Sequence, residues 1–192
     1  MQECVRHSAV RCGARAHACR VDTPVDARLV RDSGLSSYNG AMDEVRRIDD
    51  QLRRSFKGPA WHGPSIQELV KDVTPEKAAA RPLPHAHTIW EIVLHIGVWE
   101  DAVRRRLEGE KYEPTPEQDW PAVRDCSEAA WKLALADLEA THARLRGVVA
   151  SLDAARLNEK VPGEAYSIYF MLHGVVQHNL YHAGQIAILR KP

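Results

Sequence analysis

Two histidines, His178 and His182, stand four residues apart in the last periodic stretch of the chain. In an α-helix this spacing is a rotation of about 40° and a rise of about 6 Å, so both rings project from one face. The apolar residues Met171, Val175 and Ile186 fall on the same face, so the pair points toward the core. Neutral imidazoles buried side by side need partners for their nitrogens, and a divalent metal ion is such a partner. The spacing therefore predicts a metal site.

A third candidate ligand, His95, lies at the edge of the apolar stripe of an earlier predicted helix, close to Trp99. Three histidine ligands leave a coordination position open, which is typical of a reactive metal site rather than a structural one. A water molecule or a substrate thiol at such a metal loses its proton more readily. Two alternatives stay open at this point. The three histidines are incidental core residues, or the metal only holds two helices together.

Other polar residues are candidates to assist this site. Gln185 follows His182 by about one turn on the same face, and it is a candidate to orient that ligand. His173 lies about 140° from His178 on the helical wheel, so it is predicted to be a surface residue outside the site. Three weaker candidates are Glu100, Tyr181 and His62. His62 is a candidate lid residue or extra ligand.

Helical periodicity predicts four long amphipathic helices, at about residues 41–56, 88–107, 127–152 and 166–189. Their starts carry capping residues: Thr88 precedes Glu91 in a capping-box pattern, and Ser127 precedes the third helix. No strand alternation or internal repeat occurs, so the sequence predicts an all-α four-helix bundle. The proline-containing connection at residues 108–126 is long for antiparallel neighbours. It predicts a crossover that lets the second and third long helices run parallel.

Composition is typical of one globular domain: 192 residues, 44% hydrophobic, 27% charged, with a net charge of zero. Balanced charge gives no indication of a nucleic-acid partner, and no apolar run is long enough to predict a membrane span. Residues 1–40 lack helical periodicity and large apolar side chains, so they are predicted to be a disordered extension before a folded domain at residues 41–192. Met42 is an alternative start of the chain.

The four cysteines show neither metal-binding nor disulfide spacing, which favours a reducing cytoplasm. They are Cys4, Cys12, Cys19 and Cys126.

The run His173–Ile186, with the sequence HGVVQHNLYHAGQI, resembles the DinB-like family, also called YfiT-like metalloenzymes. That family has the pattern H-x3-H followed by x-G-Q-I. The stretch Trp90–Glu100, WEIVLHIGVWE, is similar to the other motif of the family, and the likeness extends from about Ala41 to the end. The resemblance implies a four-helix bundle with the expected crossover, and it implies frequent homodimers. It also implies a zinc or nickel ion held by the three matching histidines, His95, His178 and His182.

Some members of this family resemble thiol S-transferases or isomerases that use low-molecular-weight thiols, and others resemble hydrolases. The resemblance therefore implies a metal-dependent thiol S-transferase or hydrolase that acts on a small molecule. The alternative is a non-catalytic, stress-related binding or dimerisation module in which the metal holds the bundle together. The segment before Ala41 has no counterpart in the family pattern.

Overall fold

The computed structural model describes residues 43–191, in which seven α-helices and one 3-10 helix form and no strand does. The predicted all-α fold is confirmed. No helix in this described part is long and apolar enough to cross a bilayer. In chain order the helices are α1 (Glu44–Phe56), α2 (Ile66–Val70), α3 (Pro75–Ala79), α4 (Ile89–Leu107), α5 (Pro116–Asp119), α6 (Glu128–Ala150), the 3-10 helix (Ala154–Asn158) and α7 (Ile168–Leu189).

The predicted extension, residues 1–40, lies outside the described residues together with Cys4, Cys12 and Cys19. Its disorder, and a domain boundary near residue 41, stay predictions. The fourth cysteine, Cys126, is exposed and has a free thiol.

Local sequence signals set the ends of the long helices. At the start of α4 the Glu91 carboxylate accepts from the Thr88 N–H at 2.8 Å, and Thr88 Oγ1 accepts from the Glu91 N–H at 3.1 Å. Ser127 Oγ accepts from the Ala130 N–H at 3.2 Å at the start of α6. Gly109 follows α4 with a φ of 95°, a conformation that glycine adopts without steric cost. The predicted capping pairs are thus confirmed.

The long helices contact one another in a ring. Helix α4 packs against α6 and α7, and α1 packs against the same two helices. Trp90 meets Trp131 with ring centroids 4.9 Å apart, and further along both helices Glu100 bonds His142 at 2.9 Å. Because the residue numbers of the paired residues increase along both helices together, α4 and α6 run parallel.

A layer of buried or half-buried polar side chains separates two apolar clusters of the core. On α4 the first cluster ends at Ile96 and the second begins at Val103, with Glu100 fully buried between them. The polar layer, as we call it, contains His95, Glu100, His142, His178, Asn179 and His182. The first cluster is built around Trp90, Ile92, Trp131, Leu138 and Ile186, and the second around Ile48, Leu52, Leu107, Leu145 and Leu172.

The connection between α4 and α6 contains a structural element that the sequence analysis missed. Helix α5 begins at Pro116, after Thr115, whose N–H donates to Gln118 Oε1 at 2.9 Å. Helix α5 packs against α4 and places the residues at its end, Asp119 and Trp120, beside the polar layer.

Candidate metal centre

His95 of α4 and His178 and His182 of α7 lie together, each offering a ring nitrogen within 4.8 Å of the other two. The Nε2 atoms of His95 and His178 are 3.0 Å apart, and the ring centroids of His178 and His182 are 4.4 Å apart. His95 and His182 are buried and His178 is half-buried. We call these three residues the histidine triad. The structure thus brings together the three residues that sequence spacing singled out.

Hydrogen bonds behind the rings fix which nitrogen faces the centre of the triad. His95 Nδ1 donates to the backbone carbonyl of Asp119 at 2.9 Å, and one carboxylate oxygen of Asp119 lies 3.0 Å from the same nitrogen. His182 Nδ1 lies 2.6 Å from Gln185 Oε1. Because a carbonyl oxygen can only accept, both Nδ1 atoms carry the proton and both Nε2 atoms keep a lone pair. His178 Nδ1 has no hydrogen-bond partner within residues 43–191.

The surroundings hold all three rings in the neutral form. Burial lowers the pKa of His178 to about 3, with a further contribution from the neighbouring His182 and His95 rings. Burial also lowers the pKa of His182, and it lowers the pKa of His95 against the opposing hydrogen bond to Asp119. A neutral imidazole is the form that binds a metal ion.

Two tryptophans and one carboxylate enclose the triad on the α5 side. Trp120 stacks on His95 with ring centroids 3.8 Å apart and an interplanar angle of 5°. Trp99 donates from Nε1 to Asp119 Oδ1 at 2.6 Å, and its ring lies 6.1 Å from that of His178. Sequence reasoning missed Asp119 and Trp120. The capping pattern of Thr115 before α5 is the signal that predicts a helix there.

A family model described as the DinB superfamily matches residues 60–186, which is 127 of the 192 residues. The chain belongs to the DinB superfamily. The match contains His95, His178 and His182, and it confirms the resemblance inferred from the two histidine motifs. Neither the curated proteins nor the solved structures gave a match to this chain.

The donor set of this DinB-superfamily protein fits a divalent metal ion. Two nitrogens that share a tetrahedral ion, each about 2.0–2.1 Å from it, are about 3.3 Å apart, close to the 3.0 Å between the Nε2 atoms of His95 and His178. Neutral imidazole nitrogens suit zinc and nickel among other transition metals. The triad could therefore hold a metal ion of this kind.

Glu100, a weaker candidate from the sequence, occupies a different place from the triad. Its side chain is 0% exposed, and Oε1 accepts from His142 Nδ1 at 2.9 Å and from Asn179 Nδ2 at 2.7 Å. No hydrogen bond joins Glu100 to a triad histidine within the described residues. Glu100 therefore ties together α4, α6 and α7 in the interior, next to the triad.

The remaining candidates lie farther out. Tyr181 is 66% exposed, with its ring centroid 5.2 Å from that of His182. His62 is exposed and lines a surface groove with Trp61 and Leu180. His173 is half-exposed and faces Glu44 across 3.6 Å, away from the triad.

Proposed function

We propose that this DinB-superfamily protein is a metal-dependent enzyme that acts on a small molecule, as a thiol S-transferase or a hydrolase. His95, His178 and His182 hold zinc or nickel. The observation that carries the proposal is the convergence of three neutral imidazoles beside a cavity whose wall includes His178. Three protein ligands leave room for a reacting group, whereas structural zinc sites have four.

The chain and the metal have separable roles in this proposal. When bound, a divalent cation supplies Lewis acidity that lowers the pKa of a water molecule or a thiol. Asp119 and Gln185 orient His95 and His182 by holding their Nδ1 protons. Trp120 covers one face of His95 and keeps water away from it. The cavity beside His178 admits the substrate.

Metal content tests the binding part of the proposal. Elemental analysis of the purified full chain is expected to give one zinc or nickel per chain, and His182→Ala is expected to lose it. His173→Ala is the matched control, since this histidine of the same helix faces Glu44 and is expected to leave the metal content unchanged. A wild-type chain without metal, or equal metal in both variants, would contradict the proposed ligands.

The catalytic part requires a separate screen. Metal-loaded protein is expected to accelerate either the attack of low-molecular-weight thiols on electrophiles or the hydrolysis of model esters and amides. The acceleration is expected to disappear with a chelator and in His182→Ala. Stoichiometric metal with no turnover in either class would contradict an enzyme.

That last result would favour the second candidate, a non-catalytic, stress-related binding or dimerisation module. Its support is that the ligands come from α4 and α7, so a metal would hold these two helices together. Metal removal would then lower the melting temperature strongly without any activity being lost. Homodimerisation and a cytoplasmic location stay predictions.

A further inference from the structure

A cavity of about 270 Å³ lies between α4 and α7 and reaches the histidine triad at His178. Trp99, Val103 and Val175 make much of its apolar wall, and Arg106 and Tyr166 also line it. Tyr166 lies just before the first turn of α7, and His178 lies about 15 Å along that helix at a rise of about 1.5 Å per residue, so the two residues lie toward opposite ends of the cavity. The cavity thus joins the candidate metal centre to a distant polar group.

Trp99 forms the wall between these two ends. Its ring centroid lies 6.1 Å from that of His178 and 5.8 Å from the guanidinium carbon of Arg106. Its Nε1 donates to Asp119, which holds the indole in place. A ligand that extends from the triad to Arg106 therefore passes over this indole.

The polar end presents a hydrogen-bond donor. Arg106 is 4% exposed, and it donates to the carbonyl of Tyr112 at 2.8 Å, to the Tyr166 hydroxyl at 2.9 Å, and to the carboxylate of Glu113. Within residues 43–191 the proton of the Tyr166 hydroxyl has no acceptor. Burial raises the pKa of Tyr166, so this proton stays in place at neutral pH. The hydroxyl is thus free to donate to a ligand.

The charges around this end balance one another. Arg106 and Lys111 are positive, Glu113 and Glu164 are negative, and all four line the groove that continues from the cavity. A ligand carboxylate would approach the two glutamates, and a ligand ammonium would approach the arginine and the lysine. Because a buried charge needs its own compensating partner, an uncharged acceptor fits this end best.

We propose that the cavity binds the substrate as a short aliphatic chain that ends in an uncharged carbonyl, such as an amide. The carbonyl accepts from the Tyr166 hydroxyl, and the aliphatic segment lies along Trp99 and Val103. This inference rests on the proposed function, since the reacting end of the molecule lies at His178. A volume of 270 Å³ is at the small end for ligand pockets, which suits a compact molecule.

Three probes of similar length test the charge preference on the full chain by NMR titration, with and without zinc. They are N-pentylacetamide, hexanoate and pentylammonium. The amide is expected to bind at least about tenfold more tightly than either ion, since each ion gives up hydration at an end whose charges already compensate one another. Tyr166→Phe removes one hydrogen-bond donor, so it is expected to weaken binding of the amide about three- to tenfold. Pentylammonium has no acceptor for that donor, so its affinity is expected to stay within about twofold.

Two glycine substitutions test the location. A Cβ atom at Gly174 or at Gly147 would meet nothing within 4 Å, and leucine favours a helix more than glycine does, so both variants are expected to fold. Gly174 lines the cavity, whereas Gly147 is exposed on α6. Gly174→Leu is expected to weaken the binding of N-pentylacetamide at least about tenfold, and Gly147→Leu is expected to leave its affinity unchanged.

N-(5-mercaptopentyl)acetamide tests the connection to the metal. Its added thiol is expected to increase affinity in zinc-loaded protein only. Equal binding of the amide and either ion, an unchanged amide affinity in Tyr166→Phe or Gly174→Leu, or a thiol that adds nothing when zinc is bound would each overturn the inference. A chain that holds no zinc would instead contradict the proposed function, and N-pentylacetamide would still test the cavity.

Discussion

The polar layer contains two groups of residues, each including histidine, that differ in where their hydrogen bonds point. In the inner network, as we call Glu100, His142 and Asn179, a fully buried carboxylate accepts hydrogen bonds from both partners. In the histidine triad, two Nε2 atoms face each other at 3.0 Å, and the hydrogen bonds to the protein are made behind the rings. Glu100 Oε1 therefore joins three helices through hydrogen bonds, while Glu100 Oε2, His142 Nε2 and Asn179 Oδ1 have no partner within residues 43–191. The triad instead directs its Nε2 atoms toward one centre.

This difference predicts a structural role for the inner network and, under the proposed function, metal binding for the triad. Buried polar atoms that bond one another stabilise a single packing arrangement of the helices around them. Three neutral imidazoles that share a centre can form at most a few hydrogen bonds with one another, such as the one between His178 and His95, whereas an ion at that centre would satisfy all three. The triad also borders a cavity, while Glu100 is inaccessible to solvent. The two groups should thus respond to different perturbations.

The largest expected effect is on the inner network. Glu100→Ala leaves the buried donors of His142 and Asn179 without their acceptor, at about 1–3 kcal/mol for each group. The free energy of unfolding is therefore expected to fall by about 2–6 kcal/mol, measured by urea denaturation of the metal-free chain. Glu139→Ala, on an exposed position of α6, is the control and is expected to change it by no more than about 0.5 kcal/mol. Equal effects would remove the distinction between the two groups.

The histidine triad is expected to respond to metal instead. Free zinc at a hundred times its dissociation constant is expected to raise the free energy of unfolding of the wild-type chain by about 2.7 kcal/mol. His182→Ala is expected to lose most of this increase, because one of three ligands is gone. Melting curves with and without zinc measure both. The same stabilisation in the variant would place the zinc elsewhere.

Helical periodicity explains why the triad could be predicted and the inner network could not. The face of α7 that carries His178 and His182 follows from 3.6 residues per turn. The three histidines could therefore be predicted to meet once the apolar faces of α4 and α7 were expected to pack together. Glu100 was a weaker candidate to assist the metal site, and the structure shows that its hydrogen bonds go to His142 of α6 and to Asn179. A helical wheel gives the direction of a side chain within its own helix, but the helix that meets it depends on how all the helices pack.

The residues that contact the triad histidines divide in the same way. Gln185 was predicted because it shares a helix and a face with His182, and the two are in contact. Asp119 and Trp120 were not predicted, because they lie in a connection that has no helical periodicity. They contact His95 because of the path that the chain takes after α4. Contacts within one helix can be derived from spacing, whereas contacts from a connection require the structure.

Gln185→Ala is expected to weaken zinc binding about 10- to 100-fold. Gln185 Oε1 is the one acceptor that His182 Nδ1 has within residues 43–191, and partners behind metal-binding histidines typically contribute this much. Competition with a chromophoric chelator measures the affinity. Gln177→Ala, an exposed glutamine of the same helix, is the control and is expected to change nothing. If both variants bind zinc as the wild type does, the hydrogen bond to His182 does not orient the ligand.

Asp119→Ala is expected to have the smallest effect, a loss of less than about tenfold in zinc affinity. His95 Nδ1 bonds the backbone carbonyl of Asp119 at 2.9 Å, and this acceptor survives the substitution. The carboxylate also accepts from Trp99 Nε1, so its removal frees the indole more than it frees the imidazole. The same chelator competition measures it, with Gln185→Ala as the reference. A larger loss than in that variant would mean that the carboxylate, rather than the carbonyl, orients His95, and that the main chain after α4 contributes less to the triad than its geometry indicates.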